Sequence, residues 1–343
     1  MTLTLLVVLV VIAALAFDFS NGWHDCANAV ATVISTRVLT PAAAIMLAAT
    51  LNFLGALAGQ AVAKTIMKGI VDVKALHLTG QAVQFAPLVL TLSAVLSAIV
   101  WNILTVRRGL PASSSHAIMG GLIGASVAYA GGLTALHGPG IEKVLLFMLL
   151  APLFGFLGGF VVMAALSLLI RDRAPSRVNR WFGLLQLGSV SFMAFSHGQN
   201  DAQKAMGIIT LALAGVGMSQ GGHIPTWVVL ACATAMALGT AAGGMRVIRT
   251  LGVGLLKLQP VHGFAAETAA ATVLMFTAHS GLPVSTTQVI TASIMGVGST
   301  RRLSAVRWGL GRKIAYAWLL TFPFTILASG LICLALTALL IRG

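Results

Sequence analysis

Two short polar stretches interrupt long apolar runs and carry residues suited to ion binding. Residues 22–29 contain Asp25 followed three positions later by Asn28, and residues 198–205 contain Asp201 followed three positions later by Lys204. In a helix, residues three apart lie on one face, so each aspartate has its partner beside it. A charged group at membrane depth is costly, so we interpret both pairs as parts of a binding site.

A second pair of matching motifs carries clustered hydroxyl groups. Residues 109–116 and 281–288 each begin with Gly-Leu-Pro, and the hydroxyl residues that follow are Ser113, Ser114, Ser115, Ser285, Thr286 and Thr287. Proline starts a helix and leaves the next N–H groups unpaired, and such a helix start attracts anions. Two helix starts face to face therefore predict a cradle for a tetrahedral oxyanion. The alternative is that these residues are ordinary N-caps of transmembrane helices.

Three further titratable residues lie near these motifs. His24 and His116 are candidates either for relaying protons or for hydrogen-bonded packing. Glu267 lies shortly before the second Gly-Leu-Pro, where it is either part of a proton path or a structural residue. Its expected cationic partner is Lys204, Arg246 or Arg249.

Charge balance predicts that a cation accompanies the anion. Two buried carboxylates repel an oxyanion at low dielectric, so positive charge must lie between them. The oxygens of Asp25 and Asn28 suit a monovalent cation or a proton, whereas Lys204 supplies its own charge in the second half. We therefore expect proton coupling rather than a full set of sodium ligands. The aspartates either accept the O–H of hydrogen phosphate, which sulfate lacks, or act only on cations.

The composition indicates the elements that position these residues. The chain has 343 residues, of which 58% are hydrophobic and 8% charged, and apolar stretches of about 20 residues recur along it. These features predict an all-α, polytopic membrane protein. The net charge of +14 must lie in short loops, so no nucleic-acid partner is expected. Three scattered cysteines predict neither a disulfide framework nor a metal centre, and no cofactor is expected.

The second half of the sequence repeats the first. The aspartate and the proline of Gly-Leu-Pro are 86 positions apart from Asp25 to Pro111, and 82 apart from Asp201 to Pro283. We predict two repeats, 1–170 and 181–343, joined by a cytoplasmic loop at 171–180. Each repeat is expected to contain a discontinuous helix at its polar motif and a re-entrant hairpin. The hairpins are placed at about 86–130 and 261–298. The first apolar run leads into charged residues rather than a cleavage site, so we expect a retained helix.

Basic residues orient the two repeats. With this arrangement, most arginines and lysines share one face, among them Arg171, Arg173, Arg177, Arg180, Arg301 and Arg302. The positive-inside tendency makes that face cytoplasmic and places both termini outside, so the halves run in opposite directions. Inverted repeats with broken helices that meet near the midplane are typical of secondary transporters with alternating access.

These motifs resemble those of the inorganic phosphate transporter (PiT) family, also called phosphate permeases. Residues 21–29 and 197–204 look like its two signatures, and the serine and threonine runs after each Gly-Leu-Pro look like its hairpin elements. Residues 263–267 also fit, so the similarity covers nearly the whole chain. The resemblance implies inward symport of inorganic phosphate and a homodimer. It also implies that the hairpin hydroxyls hold phosphate, while Asp25, Asn28 and Asp201 handle the coupling cation.

One residue departs from the sodium-coupled members of that family. They carry an Asp and an Asn three apart in both halves, whereas this chain has Lys204 in the second. It is therefore closer to the low-affinity bacterial branch, which resembles a proton symporter of neutral metal–phosphate complexes. Some relatives carry sulfate.

We therefore predict a multi-pass phosphate symporter of the cell membrane that is not an enzyme. The alternatives are a sodium-coupled symporter, a transporter of a related oxyanion such as sulfate, a channel, and an intramembrane hydrolase, which would need a nucleophile, base and acid in one place. The predicted substrate site comprises Ser113, Ser114, Ser115, Ser285, Thr286, Thr287, Asp25, Asn28, Asp201 and Lys204. Coupling of a proton or sodium ion is assigned to Asp25, Asn28, Asp201, His24, His116 and Glu267, and no metal ligand or catalytic residue is predicted.

Overall fold

A computed structural model describes residues 2–71, 75, 80, 82–219 and 223–342, and this part of the chain is almost entirely helical. The first half contains α1 (Leu3–Ser35), α2 (Pro41–Leu57), α3 (Ala61–Gly69), α4 (Ala82–Arg108), α5 (Ser114–Ala130) and α6 (Gly138–Ile170). The second half contains α7 (Pro175–Asp201), α8 (Gln203–Gly215), α9 (Thr226–Ala242), α10 (Met245–Arg249), α11 (Pro260–His279), α12 (Thr286–Ser299) and α13 (Trp308–Arg342). A π-helical segment, Thr250–Gly254, continues α10. The outermost positions of the predicted repeats, 1 and 343, lie outside the described residues.

Several helices are long and apolar enough to cross a membrane. Within the described residues these are α1, α4, α6 and α13, each at least 27 residues long. Two bent pairs pass the same test when each is taken as one span: α2 with α3, bent by 66°, and α9 with α10 and the π-helical segment, bent by 63°. The second bend falls at Gly243 and Gly244, where glycines ease a break in the helix. The prediction of a multi-pass helical membrane protein is confirmed.

The helices follow the same order in both halves. In this order α1 corresponds to α7 with α8, the bent pair α2–α3 to α9–α10, α4–α5 to α11–α12, and α6 to α13. The halves also exchange packing partners, because α1 packs on α9 while α7 packs on α2. Likewise, α5 packs on α13 while α12 packs on α6. The inverted orientation of the two repeats stays a prediction.

Two local expectations from the sequence were wrong. The polar motif at Asp25 does not break its helix, since α1 runs without interruption from Leu3 to Ser35. Its polar side chains bind partners on neighbouring helices, so no unwound backbone is needed to satisfy them. In the second half a break does occur, between α7 and α8 at Ala202. The loop predicted at 171–180 is also shorter, because Pro175 occupies the first turn of α7, where its missing N–H costs nothing.

The two hairpin turns are built alike. Gly109 and Gly281 adopt φ angles of +65° and +67°, a left-handed conformation that glycine enters without strain. Each turn then leads into a serine N-cap: Ser113 accepts a hydrogen bond from the His116 backbone N–H (3.1 Å), and Ser285 accepts one from that of Gln288 (3.3 Å). The same local chemistry therefore starts α5 and α12.

Helix α1 connects two apolar cores. Its N-terminal part, from Leu6 to Phe17, packs into one core together with buried residues of α4, α5, α8 and α9. Its C-terminal part, from Cys26 to Val33, packs into the other, with residues of α7, α11 and α12. The intervening residues 18–25 carry both aspartates of this helix, Asp18 and Asp25, together with His24. The sequence thus places its charged motif at the junction between two apolar clusters.

Candidate functional site

The starts of α5 and α12 lie side by side. The Ser115 hydroxyl donates a hydrogen bond of 2.7 Å to the carbonyl of Val284, the residue just before the second N-cap. Ser113, Ser114, Ser115, Ser285, Thr286 and Thr287 are all buried. The two hydroxyl-rich helix starts predicted from the sequence are therefore brought together inside the protein. Their unpaired N–H groups and helix dipoles favour negative charge there.

Asp25 lies between the two helix starts. One carboxylate oxygen accepts a hydrogen bond from Ser114 (3.0 Å) on α5, and the other accepts one from Thr287 (3.0 Å) on α12. The Nδ1 atom of His24 approaches the same carboxylate at 2.6 Å. Because α1 is continuous here, Asp25 is fixed by a rigid helix and contacts both hairpins at once.

Asp201 and Lys204 form a fully buried ion pair. The Lys204 Nζ lies 2.8 Å from Asp201 Oδ1 and donates a hydrogen bond of 3.2 Å to Ser114. Thr286 donates to the other oxygen of Asp201 at 3.2 Å. Ser114 therefore links the Asp25 group to the Asp201–Lys204 pair. The site holds two carboxylates and one ammonium before any substrate arrives.

Asn28 bonds to the second hairpin. Its amide nitrogen donates hydrogen bonds to Thr286 (3.2 Å) and Thr287 (2.9 Å), whereas its buried side-chain oxygen has no hydrogen-bond partner. Both threonine hydroxyls in turn donate a hydrogen bond to a carboxylate, Thr286 to Asp201 and Thr287 to Asp25. The predicted pairing of Asp25 and Asn28 on one helix face is present, and Asn28 retains an unused acceptor.

The two candidate histidines both contact the first hairpin. The Nε2 atom of His24 faces the carbonyl of Leu110 at 3.2 Å and the backbone nitrogen of Ala112 at 3.4 Å. His116 Nδ1 lies 2.5 Å from the hydroxyl of Ser113, and its ring packs edge-on against Phe322. His24 thus spans from Asp25 to the hairpin turn, while His116 supports the N-cap of α5.

Glu267 forms a separate polar cluster. This fully buried carboxylate accepts hydrogen bonds from Thr32 (2.5 Å), Gln186 (2.8 Å) and Ser189. The expectation that it pairs with Lys204, Arg246 or Arg249 was wrong. Lys204 is already held by Asp201, and Arg246 is exposed and donates to the carbonyl of Arg107. Three neutral donors take the place of the expected cation.

His197 and Asn21 also belong to the site, although the sequence reading passed over them. His197 Nε2 lies 3.6 Å from Asp201 Oδ2, and Asn21 donates to the same oxygen at 3.4 Å. One ligand atom from each of Asp25, His197 and Asp201 lies within 4.8 Å of the others, so this buried trio could hold a cation. The available signal for His197 was its position one helical turn before Asp201.

Comparisons with known proteins identify the family. The family model described as "Phosphate transporter family" matches residues 21–329 of this chain. The chain belongs to the phosphate transporter family. A relative from Bacillus subtilis (strain 168), named a probable low-affinity inorganic phosphate transporter, is 44% identical over 324 residues, covering 94% of this chain and 95% of the relative. A protein of the same name from Rhizobium meliloti (strain 1021) is 42% identical over 328 residues, covering 95% of each chain.

The fold of this phosphate transporter family member is also found in a solved structure. That structure, titled "The sodium-dependent phosphate transporter", superposes with a TM-score of 0.86 over 97% of this chain and 99% of its own, at 24% sequence identity. At that identity the likeness establishes the fold alone. The relatives are transporters rather than enzymes, and the apolar helices make this chain a membrane protein.

Proposed function

We propose that this chain is a secondary active symporter that imports inorganic phosphate, free or as a metal–phosphate complex, by alternating access coupled to protons. The observation that carries the proposal is the meeting of two hydroxyl-rich helix starts with Lys204 beside Asp25 and Asp201. The family and the names of its relatives support phosphate as the substrate. The predicted homodimer stays a prediction.

The donors of the site favour a tetrahedral oxyanion. Helix starts of α5 and α12 contribute backbone N–H groups, Lys204 contributes an ammonium, and the surrounding threonines and serines contribute hydroxyls. These groups lie on more than one side of the site, as a ligand with oxygens pointing in several directions requires. Their burial strengthens each interaction, because the surroundings have a low dielectric constant.

Charge balance supports coupling to a cation. With His24 and His197 neutral, Asp25 and Asp201 carry two negative charges and Lys204 one positive charge, which leaves one excess negative charge before an anion binds. Adding phosphate to a buried site of that charge is unfavourable unless positive charge enters with it. An anion that must bring a cation is, by definition, carried by symport. A divalent metal ion that enters bound to the phosphate would supply the same positive charge.

The ammonium of Lys204 favours protons over sodium. It already occupies the space between Asp201 and Ser114, where a second metal-ion site would need oxygen ligands. A proton needs only one acceptor atom. The sodium-coupled alternative is favoured by one observation, the unpaired oxygen of Asn28 beside Asp25, which is a suitable ligand for a single sodium ion.

Transport by the purified protein in sealed liposomes tests the proposal. Radiolabelled phosphate uptake is measured under a proton gradient without sodium, under a sodium gradient without a proton gradient, and with neither. We expect saturable uptake in the first condition that does not require sodium. Lys204→Asn is expected to make uptake sodium-dependent, because it restores an oxygen ligand in place of the ammonium. Wild-type uptake that stops when sodium is removed would overturn proton coupling, and failure to move phosphate under any gradient would overturn the function.

A further inference from the structure

A basic pocket lies on the face of the protein that the sequence predicts to be cytoplasmic. It is a cavity of about 790 Å³ between the C-terminal end of α1, the segment of α10 and the π-helix, and the residue that precedes α13. Among the described residues that line it, four are basic and none is acidic. The basic ones are Arg37, Arg249, Lys257 and Arg307. Four positive charges around one concave site favour an anion.

The four basic side chains of the pocket have no counterion in the protein. Other basic side chains on this face have partners: Arg171 lies 3.2 Å from Asp172, and Arg246 donates to the carbonyl of Arg107. Within the described residues, the four side chains of the pocket make neither an ion pair nor a hydrogen bond. The positive-inside tendency accounts for basic residues on this face. It does not account for four of them, from three separate segments, around one cavity.

Arg37 occupies a position at which glycine is usual. The backbone N–H of Arg37 bonds to the carbonyl of Ile34 (3.1 Å), and that of Val38 bonds to the carbonyl of Val33 (3.2 Å), which is the Schellman pattern at the end of a helix. Arg37 has a φ of 62° and is, in the described part of the chain, the only non-glycine residue with a positive φ. Glycine would adopt this conformation without strain. The place of the arginine side chain in the pocket explains why the strained residue is present.

The pocket lies where membrane-spanning helices end. Arg37 comes two residues after Ser35, the last residue of α1, and Arg307 immediately precedes Trp308, the first residue of α13. Both helices are long and apolar enough to cross a membrane, so these ends lie at the level of the lipid headgroups. A tryptophan at this level is typical of membrane proteins. The charges of the pocket are therefore placed beside phospholipid phosphates.

Apolar side chains line the same pocket. Met245 and Val253 belong to it and are 41% and 62% exposed. A phospholipid buries this apolar surface under its glycerol and upper acyl chains, whereas a small soluble anion leaves it in water. The cavity also has the size of sites that hold drug-sized molecules, about 300–1,000 Å³, rather than the size of a single phosphate ion. Its charge and its apolar lining together suit an amphiphilic anion.

We propose that this pocket binds the headgroup of an anionic phospholipid. A headgroup with two phosphate groups neutralises more of the four charges than a headgroup with one, so diphosphatidylglycerol is the expected class of ligand. Basic pockets at the cytoplasmic ends of membrane helices bind lipids of this kind. The inference does not depend on which ion the protein transports. Because the pocket joins α1 of the first half to α10 and α13 of the second, a bound headgroup should also hold the two halves together.

The test measures lipid binding to the purified protein in detergent by native mass spectrometry. The probe is diphosphatidylglycerol, and phosphatidylethanolamine, which has no net charge, is the comparison lipid. Arg37→Gly with Lys257→Gln should weaken binding of the probe by about 30-fold, because each basic residue near an anionic headgroup contributes about fivefold. Arg312→Gln with Lys313→Gln is the matched control: both residues are exposed, lie on the same predicted face and do not line the pocket, so binding should equal that of wild type.

Thermal unfolding separates lost binding from lost folding. Without lipid, the Arg37→Gly variant should unfold at the wild-type temperature or above, because glycine relieves the strained φ angle. Added diphosphatidylglycerol should raise the unfolding temperature of wild type and of the control by several degrees, and that of the pocket variant by less. Arg249→Gln with Arg307→Gln is a second pocket variant and should show the same loss of binding.

Two results would overturn the proposal. If both pocket variants bind diphosphatidylglycerol as tightly as wild type, or if the control loses as much binding as they do, the pocket is not a lipid site. A soluble ligand is tested with pyrophosphate in place of the lipid. If pyrophosphate displaces the lipid and raises the unfolding temperature of wild type but not of the pocket variants, the ligand is a soluble phosphate compound and the assignment to a lipid is wrong.

Discussion

The buried ion pair between Lys204 and Asp201 makes the sharpest prediction. Substitution of Lys204 by methionine keeps much of the side chain's volume and removes its charge. The two charged atoms are 2.8 Å apart and fully buried, so their gross attraction is about 6 kcal/mol at an effective dielectric constant near 20. The cost of removing one partner is smaller, because the pair also lost its hydration on folding. Removal of one partner of a buried pair destabilises a protein by about 3–5 kcal/mol.

A surface pair in the same chain provides the control. Arg171 and Asp172 lie 3.2 Å apart, but their side chains are 72% and 84% exposed. Arg171→Met should therefore change the free energy of unfolding by less than about 1 kcal/mol. Chemical denaturation in detergent, followed by intrinsic fluorescence, measures both variants. The difference between the two changes in unfolding free energy separates the effect of burial from the effect of ion pairing itself.

A double variant separates stability from substrate binding. Lys204→Met with Asp201→Asn removes both buried charges, so stability should return towards that of wild type. Phosphate affinity should not return, because the ammonium is still missing; loss of about 2 kcal/mol or more corresponds to at least about 30-fold weaker binding. Calorimetric titration with phosphate measures this loss. If Lys204→Met unfolds and binds phosphate as wild type does, the assignment of Lys204 as the fixed cation of the site is refuted.

Three other substitutions test the fold and the site, each against a matched control. Gly239→Ala places a Cβ 2.1 Å from the carbonyl oxygen of Phe19 and should cost about 1–3 kcal/mol of unfolding free energy or more, whereas Gly188→Ala, with open space around it, should be neutral or stabilising by about 0.5–1 kcal/mol. Thr287→Val removes one hydrogen bond from Asp25 and one from Asn28 inside the protein and should cost about 1–3 kcal/mol, whereas the exposed Thr272→Val should cost little. Glu267→Gln keeps one acceptor oxygen but sets an amide N–H₂ against the donor or donors at the other position, and should destabilise by about 1–3 kcal/mol, whereas the exposed Glu142→Gln should stay within about 0.5 kcal/mol. Denaturation curves check all three pairs, and equal shifts within a pair would contradict the packing or hydrogen bonding described.

The sequence was most informative where local chemistry decides local structure. Gly-Leu-Pro followed by serine or threonine predicted a helix start in each half, and both occur, although each helix begins after a serine N-cap two residues beyond the proline rather than at the proline itself. The spacing of Asp25 from Asn28 placed that pair on one side of α1, whereas Lys204 lies beside Asp201 across the break at Ala202. Hydropathy alone was sufficient for the membrane assignment, because the apolar runs have the length of a bilayer crossing.

The errors arose where tertiary partners decide the outcome. A polar run inside an apolar helix suggested a break at Asp25, but hairpin hydroxyls satisfy its side chains and α1 stays intact. Glu267 was expected to need a cation, yet Thr32, Gln186 and Ser189 come from two other helices to meet it. His197 was not assigned a role, although it lies one helical turn before Asp201. The contacts that Asp25 and Glu267 make with other helices leave no trace in sequence periodicity.

The two halves differ in how they supply positive charge. This difference explains how the chain could need one coupling cation where two equivalent halves would need two. In the first half, Asn28 beside Asp25 presents one unpaired oxygen that suits an added cation. In the second half, Lys204 fills the equivalent place with a covalently attached cation. A built-in ammonium removes the entropy cost of recruiting an ion, but it cannot be released with the substrate. In the proposed symport, the positive charge that enters and leaves with each phosphate must therefore be carried by a separate cation or proton.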